Sequence, residues 1–199
     1  MKVVLASRSP QRQALLTALG VEFEVQKPRV TELEQGDPRE IVLENARWKA
    51  ASIAAIEPGG TLVIGGDTEV ALDGHALGQP EDEAEAREHL RRLSGREHEV
   101  LGGLALLGPE LQEGRPRTRE GVAASVVRFA ELDDRLIDAY LASGEWRGRA
   151  GSYAIQGLGS ALVAEVRGDV ANVIGLPVGL LLELAPELVP ARGGRFQSA

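Results

Sequence analysis

Apolar residues in this chain fall into short unbroken runs and into stripes spaced three and four apart, and the two patterns predict alternating strands and helices. Lys2-Val3-Val4-Leu5-Ala6 has the length of a short buried strand. Ser9 then stands where a helix N-cap belongs and Pro10 at the first helical position, before a stripe of Ala14, Leu15, Leu16, Ala18 and Leu19 that Gly20 closes. A second strand is predicted over 21–25. Asp37-Pro38-Arg39-Glu40 has capping-box spacing and opens a long helix running to residue 55, stopped by Pro58-Gly59-Gly60. Thr61-Leu62-Val63-Ile64 reads as a buried strand ending at Gly65-Gly66-Asp67-Thr68, with a hairpin turn at Asp73-Gly74 returning to Gly78. A charged amphipathic helix follows over 81–93, with Ala84, Leu90 and Leu93 inward, ended by Ser94-Gly95. Strands are predicted over 98–107 and 121–129, joined by a polar hairpin loop at 109–119, and a helix over 132–142. The glycine-rich polar stretch 144–159 reads as a functional or mobile loop, 160–166 as a strand, 176–184 as a last helix and 191–199 as a frayed tail. The alternation predicts an α/β fold in one unit spanning 1–190.

Composition narrows the function classes. At 199 residues, 43% hydrophobic, the chain is large enough for one globular unit or two small lobes around a cleft. Thirty acidic against 22 basic residues, a net charge of -8, argue against stable nucleic-acid binding, and 4% aromatics argue against a base-stacking surface. Without cysteine there is no disulfide, thiolate metal site or cysteine nucleophile. Apolar runs fall well short of a membrane span and the first strand begins at once, so no membrane association is expected and the cytoplasm is the expected location. Only Lys2, Lys27 and Lys49 are lysines, and only Asn45 and Asn172 asparagines. In a chain that mostly writes arginine, a lysine inside a motif draws notice for its chemistry.

Three constellations could carry chemistry. Ser7, Ser9 and Arg12 surround a helix N-terminus, whose free N–H groups attract anions; an ordinary Ser-Pro cap is the plainer alternative. Asp67 follows two glycines at the expected strand end, where a carboxylate holds a divalent cation or orients water, or merely caps a turn. Lys49 is flanked on its helix by Ala46, Ala50 and Ile53, so its stem is expected along a buried face with the ammonium emerging at an edge. His75, His89 and His98 match no zinc spacing and read as structural or solvated, and no Ser-His-Asp pattern is present.

Taken in order, these pieces resemble the Maf family of nucleoside triphosphate pyrophosphatases. The resemblance is carried by Leu5-Ala6-Ser7-Arg8-Ser9-Pro10-Gln11-Arg12, Thr31-Glu32, Ala46-Arg47-Trp48-Lys49-Ala50, Val63-Ile64-Gly65-Gly66-Asp67-Thr68 and Leu93-Ser94-Gly95-Arg96-Glu97-His98. Two later blocks, Ala150-Gly151-Ser152-Tyr153-Ala154-Ile155-Gln156-Gly157 and Gly175-Leu176-Pro177, complete it. It implies a single elongated α/β domain, a mixed twisted sheet with two lobes flanking a nucleotide-binding cleft, in a homodimer. The implied reaction converts a nucleoside triphosphate to monophosphate and pyrophosphate with a divalent cation, Mg2+ first and Mn2+ or Co2+ next.

On that resemblance Asp67 is the catalytic carboxylate and a metal ligand, with Glu32 as the second metal ligand. Ser7, Arg12, Lys49, Gln79 and Arg149 take the substrate, while Gln11, Thr68 and Gln156 set specificity. Gln156 implies the branch acting on dTTP and UTP; a glutamine both donates and accepts toward a base edge. Three positions depart from the family pattern. Gln11 and Gln79 stand where arginine and lysine are expected, and Arg149 stands for a lysine. Losing two cations leaves open a nucleotide-binding regulator linked to cell division, and, as a further alternative, the same chemistry on a purine or 7-methylguanine triphosphate.

Overall fold

The computed structural model describes residues 1–110 and 116–188, so the tail expected at 191–199 lies outside the described residues. Among the described residues seven strands form one sheet: β1 (Lys2–Ala6), β2 (Glu24–Val25), β3 (Thr61–Leu72), β4 (His75–Ala76), β5 (Glu97–Glu110), β6 (Pro116–Phe129) and β7 (Val163–Arg167). Their order is β2-β1-β3-β5-β6-β7, with β4 paired to β3. β1 runs parallel to β2 and β3, and every other pair is antiparallel, so the expected mixed α/β sheet is present. The helices are α1 (Pro10–Ala18), α2 (Pro38–Ala54), α3 (Glu83–Leu93), α4 (Asp134–Ser143), α5 (Val170–Ile174) and α6 (Val178–Leu184).

Strand alternation divides the core. Leu62 and Ile64 of β3 and Leu104 and Leu106 of β5 point to one face, where Leu16 of α1 and Leu181 of α6 cover them. Farther along that same face, Val70, Leu72 and Val100 pack with Leu90 of α3 and Tyr140 of α4. The opposite face carries Val63, Ala71, Leu101 and Ala105 under α2, through Val42, Ala46, Ala50 and Ile53. Two apolar clusters on one face, at opposite ends of the long strands, are the two lobes.

Local signals placed several boundaries well. Ser9 Oγ accepts the Arg12 amide at 3.4 Å, and Asp37 accepts from the amides of Arg39 and Glu40. Asp73 and Gly74 both take positive φ, 54° and 78°, as a two-residue hairpin of this hand requires.

Other expectations are corrected. β3 does not stop at Gly65 but continues to Leu72, because β5 pairs with it without interruption from Val63 to Ala71. The glycines serve proximity instead: a Cβ on Gly65 would strike the Ala46 carbonyl oxygen, and one on Gly103 the Val42 carbonyl, both on α2. Ala84 is exposed and Ala86 is the buried alanine of α3, one helical turn before Leu90. The second strand shrinks to Glu24–Val25, and β5 and β6 are both longer than expected, reaching into the 109–119 stretch read as a loop. Residues 157–162 are a 3-10 turn before β7, and α5 was not foreseen. The 144–159 stretch is held rather than mobile: Gly151, Ser152 and Tyr153 are buried.

Candidate active site

β1 pairs with β3 only as far as Gly65, and β4 takes up the same edge at Ala71. Leu77 N–H extends that pairing to the Val70 carbonyl at 2.9 Å, so the edge of β3 lies open at 66–69, and a cleft of about 650 Å³ forms over it. All ten residues singled out from the sequence line this cleft: Ser7, Gln11, Arg12, Glu32, Lys49, Asp67, Thr68, Gln79, Arg149 and Gln156.

Arg12 is 8% exposed and fixed from three directions. Its Nε donates to the Gly175 carbonyl at 2.8 Å, Nη1 to Ser7 Oγ at 3.1 Å and Nη2 to Thr68 Oγ1 at 3.0 Å. Burial pulls its pKa below the usual arginine value, while Asp67 and Glu32 pull it back up. It stays a cation, with donors left for a ligand. Thr68 also donates to the Gly175 carbonyl at 3.2 Å, so β3, α1 and the end of α5 meet at these two side chains. Gln11 Oε1 accepts from Ser9 Oγ at 3.1 Å beside the same helix start.

Lys49 does not emerge at an edge. It is 6% exposed, and its Nζ donates to Glu32 Oε2 at 2.6 Å and Asp67 Oδ1 at 2.8 Å. The other Asp67 oxygen accepts from Asn45 Nδ2 at 2.9 Å. Two carboxylates from distant segments therefore converge on one point of positive charge, an arrangement that fits a divalent cation. Among the described residues no three His, Cys, Asp or Glu side chains gather as a metal cluster. Two hard oxygen ligands suit Mg2+, which binds through one or two carboxylates and completes its shell with water and phosphate.

The opposite wall is the 147–156 stretch. Gly151 N–H donates to the Gly78 carbonyl at 2.8 Å, seating this wall beside Gln79. His89 Nδ1 and Ser152 Oγ share a hydrogen bond of 2.8 Å, His98 Nε2 and Tyr153 OH another of 2.8 Å, and Tyr140 OH accepts from the Ala154 amide at 3.0 Å. Both buried histidines are thus structural, holding the wall that carries Arg149 and, at its exposed end, Gln156. The Arg149 Nε is buried without a partner among the described residues. Glu69, also overlooked, accepts from the Val70 and Gly78 amides at 2.8 and 3.0 Å while burial pushes its pKa up.

Asn45 and Asn172 escaped the sequence reading as site residues, although their scarcity was a signal. Both are buried, at 2% and 0% exposure. Asn172 fills the space that Gly102 leaves and donates to the Val100 carbonyl at 2.9 Å.

Among the described residues six cationic side chains line the cleft, Arg8, Arg12, Lys27, Lys49, Arg147 and Arg149, against two acidic ones, Glu32 and Asp67. A protein of net charge -8 thus holds a positive cavity sized for a small polyanion.

The profile of the family described as Maf-like protein matches residues 2–188. A dTTP/UTP pyrophosphatase of Syntrophus aciditrophicus is 42% identical over 189 residues, 94% of this chain and 90% of that one. Another of Anaeromyxobacter dehalogenans is 44% identical, covering 89% of each chain. A third, of Pyrococcus furiosus, is 38% identical over 92% of this chain and 93% of its own. With the match running from the first strand to the last helix, through every element that builds the cleft, this chain belongs to the Maf-like protein family.

Proposed function

We propose that this protein is a metal-dependent nucleoside triphosphate pyrophosphatase acting on dTTP and UTP or their modified analogues. The observation that carries the reading is the meeting of Glu32 and Asp67 at the Lys49 ammonium, inside a cleft whose other charged groups are cations. The names of the relatives support the substrate class.

The reaction forms a bond from a water oxygen to the α-phosphorus and breaks the α-β bridging bond, so that pyrophosphate leaves with the electron pair and the water proton passes to a base. Asp67 is that base; Asn45 holds one of its oxygens and leaves the other toward Lys49 and the cleft. Arg12, already desolvated and oriented, and Arg149 take the phosphate charge without reorganising. Lys49 neutralises the two carboxylates until the triphosphate arrives and then serves the phosphates. A divalent cation held by Glu32 and Asp67 would supply charge neutralisation along the phosphate chain. Gln156, at the exposed end of the opposite wall, reads the base edge, with Gln11 and Thr68 beside the sugar and phosphates. We further propose Mg2+ as the working metal, a homodimer as the assembly and the cytoplasm as the location. No helix among the described residues is long and apolar enough to cross a membrane.

The test is pyrophosphate release from each canonical and modified triphosphate with Mg2+ and with Mn2+. Fastest turnover on dTTP and UTP is expected. Tight nucleotide binding with no pyrophosphate from any triphosphate would replace the enzyme with a nucleotide-binding regulator, and a purine preference would move the base reading away from Gln156.

A further inference from the structure

The wall that carries Glu32 has almost no structure of its own. Residues 27–36 lie between β2 and α2 in neither helix nor strand, yet they line the cleft through Lys27, Pro28, Val30 and Glu32. Among the described residues, every hydrogen bond made by 27–36 ends on one of two side chains a helical turn apart on α2. Lys49 takes the Glu32 carboxylate, and Asn45 takes both backbone groups of Leu33. The Leu33 amide donates to Asn45 Oδ1 at 2.7 Å, and Asn45 Nδ2 donates to the Leu33 carbonyl at 3.0 Å. The side-chain amide therefore stands in for a neighbouring strand, taking both backbone groups of Leu33. The same Nδ2 reaches Asp67 Oδ2 at 2.9 Å.

We infer that Asn45 is the positioning residue that sets the distance between the two carboxylates, gripping the chain next to Glu32 with one hand and Asp67 with the other. Lys49 alone is unsuited to this. In the proposed reaction its ammonium turns to the phosphates, and a wall held only by that ion pair would come loose at the moment the carboxylates are needed. Asn45 carries no charge to give up, so its grip persists while Lys49 changes partner. A neutral amide is also the type that fits: aspartate there would place a second negative charge on Asp67, and leucine would leave the Leu33 peptide and an Asp67 oxygen unpaired. The inference rests on Glu32 and Asp67 being the working carboxylates.

The experiment compares the full-length protein with Asn45→Leu and Asn45→Asp by hydrogen exchange, thermal melting, and the Mn2+ and nucleotide dependence of turnover. In Asn45→Leu, the Leu33 amide is expected to exchange about tenfold faster or more while core amides of β3 keep their protection. The Mn2+ concentration for half-maximal turnover should rise about 10–100-fold, with the nucleotide KM moving far less. Asn45→Asp keeps an acceptor for the Leu33 amide, so that amide stays slow while turnover still falls. Unchanged Leu33 exchange in Asn45→Leu, or an unchanged Mn2+ requirement, overturns the inference. If Asn45→Leu does not fold, Asn45→Asp decides it: Leu33 protection with wild-type turnover and Mn2+ dependence overturns it. Failure of the catalytic reading is separate, since Asp67→Asn would then keep its turnover whatever Asn45 does to Leu33.

Discussion

On the proposed reading Arg12 and Lys49 meet the substrate under opposite conditions. Arg12 is bound only to neutral acceptors, two hydroxyls and a carbonyl, so a phosphate gains its charge without breaking an ion pair. Lys49 is locked between two carboxylates, and its release is coupled to whatever neutralises them. Asp67 stands at the centre of that coupling. Asp67→Asn keeps the shape but can accept from only one of Asn45 and Lys49; the fold should still survive by circular dichroism while pyrophosphate release falls about a thousandfold. Gln79 adjoins the 147–149 wall, where a Cβ on Gly148 would sit 3.9 Å from its Oε1. Gln79→Lys returns a cation to that corner, and kcat/KM for the preferred triphosphate should rise about tenfold. Residue identities in this site were legible only through the order of several short motifs, since each motif taken alone has a plain structural reading. Asn45 was not, since a single helical asparagine belongs to no motif until its three hydrogen bonds to Leu33 and Asp67 are seen.

At the level of elements, the closeness of α2 to the sheet is what brings Lys49 and Asn45 to Asp67. Gly65 and Gly103 allow it by presenting no side chain under the helix. Gly65→Ala should push α2 outward, cost about 3 kcal/mol by denaturant unfolding and lower turnover as well, since the same displacement draws Lys49 from Asp67. The sequence pattern misjudged Gly65-Gly66 as a strand end because, read locally, a pair of glycines signals a turn. The wall at 150–156 depends on two buried histidines, and its pH dependence follows. His98 sits edge-on to Phe129 and Tyr153, and burial lowers its pKa from 6.5 to about 4. His89 is lowered in the same direction. The unfolded chain therefore takes up protons near pH 6.5 that the folded protein refuses, and stability falls as pH drops from 6.5 toward about 4. The paired carboxylates Glu57, Glu97 and Glu120, lowered from 4.5, add their loss only further down. Melting temperature should thus decline already between pH 6.5 and 5, and His98→Phe should flatten that decline.

For the whole molecule, the acidic surface and the cationic cleft divide the work. A net charge of -8 repels extended polyanions, while six cations facing two carboxylates attract one small one. Raising salt from about 0.05 to 0.5 M should therefore raise the nucleotide KM several-fold in steady-state assays and leave kcat nearly constant, because salt screens the long-range field of the cleft far more than the contacts inside it. Two lobes on one sheet face leave that cleft over the stretch of β3 that neither β1 nor β4 pairs. By itself the sequence determined the α/β class, the capped starts of α1 and α2 and the turn at Asp73-Gly74, and its family resemblance named ten of the residues that line the cleft. These rest on signals a residue shares with its near neighbours: caps, apolar runs, turn dipeptides and the order of motifs. Only the tertiary structure decided that Asp67 lies in mid-strand, that Lys49 bridges Glu32 and Asp67, that Arg12 reaches the Gly175 carbonyl and that Asn45 grips Leu33. Those contacts join residues from 12 to 163 positions apart. They depend on strand register and on how near a helix lies to the sheet, and no local pattern encodes either distance.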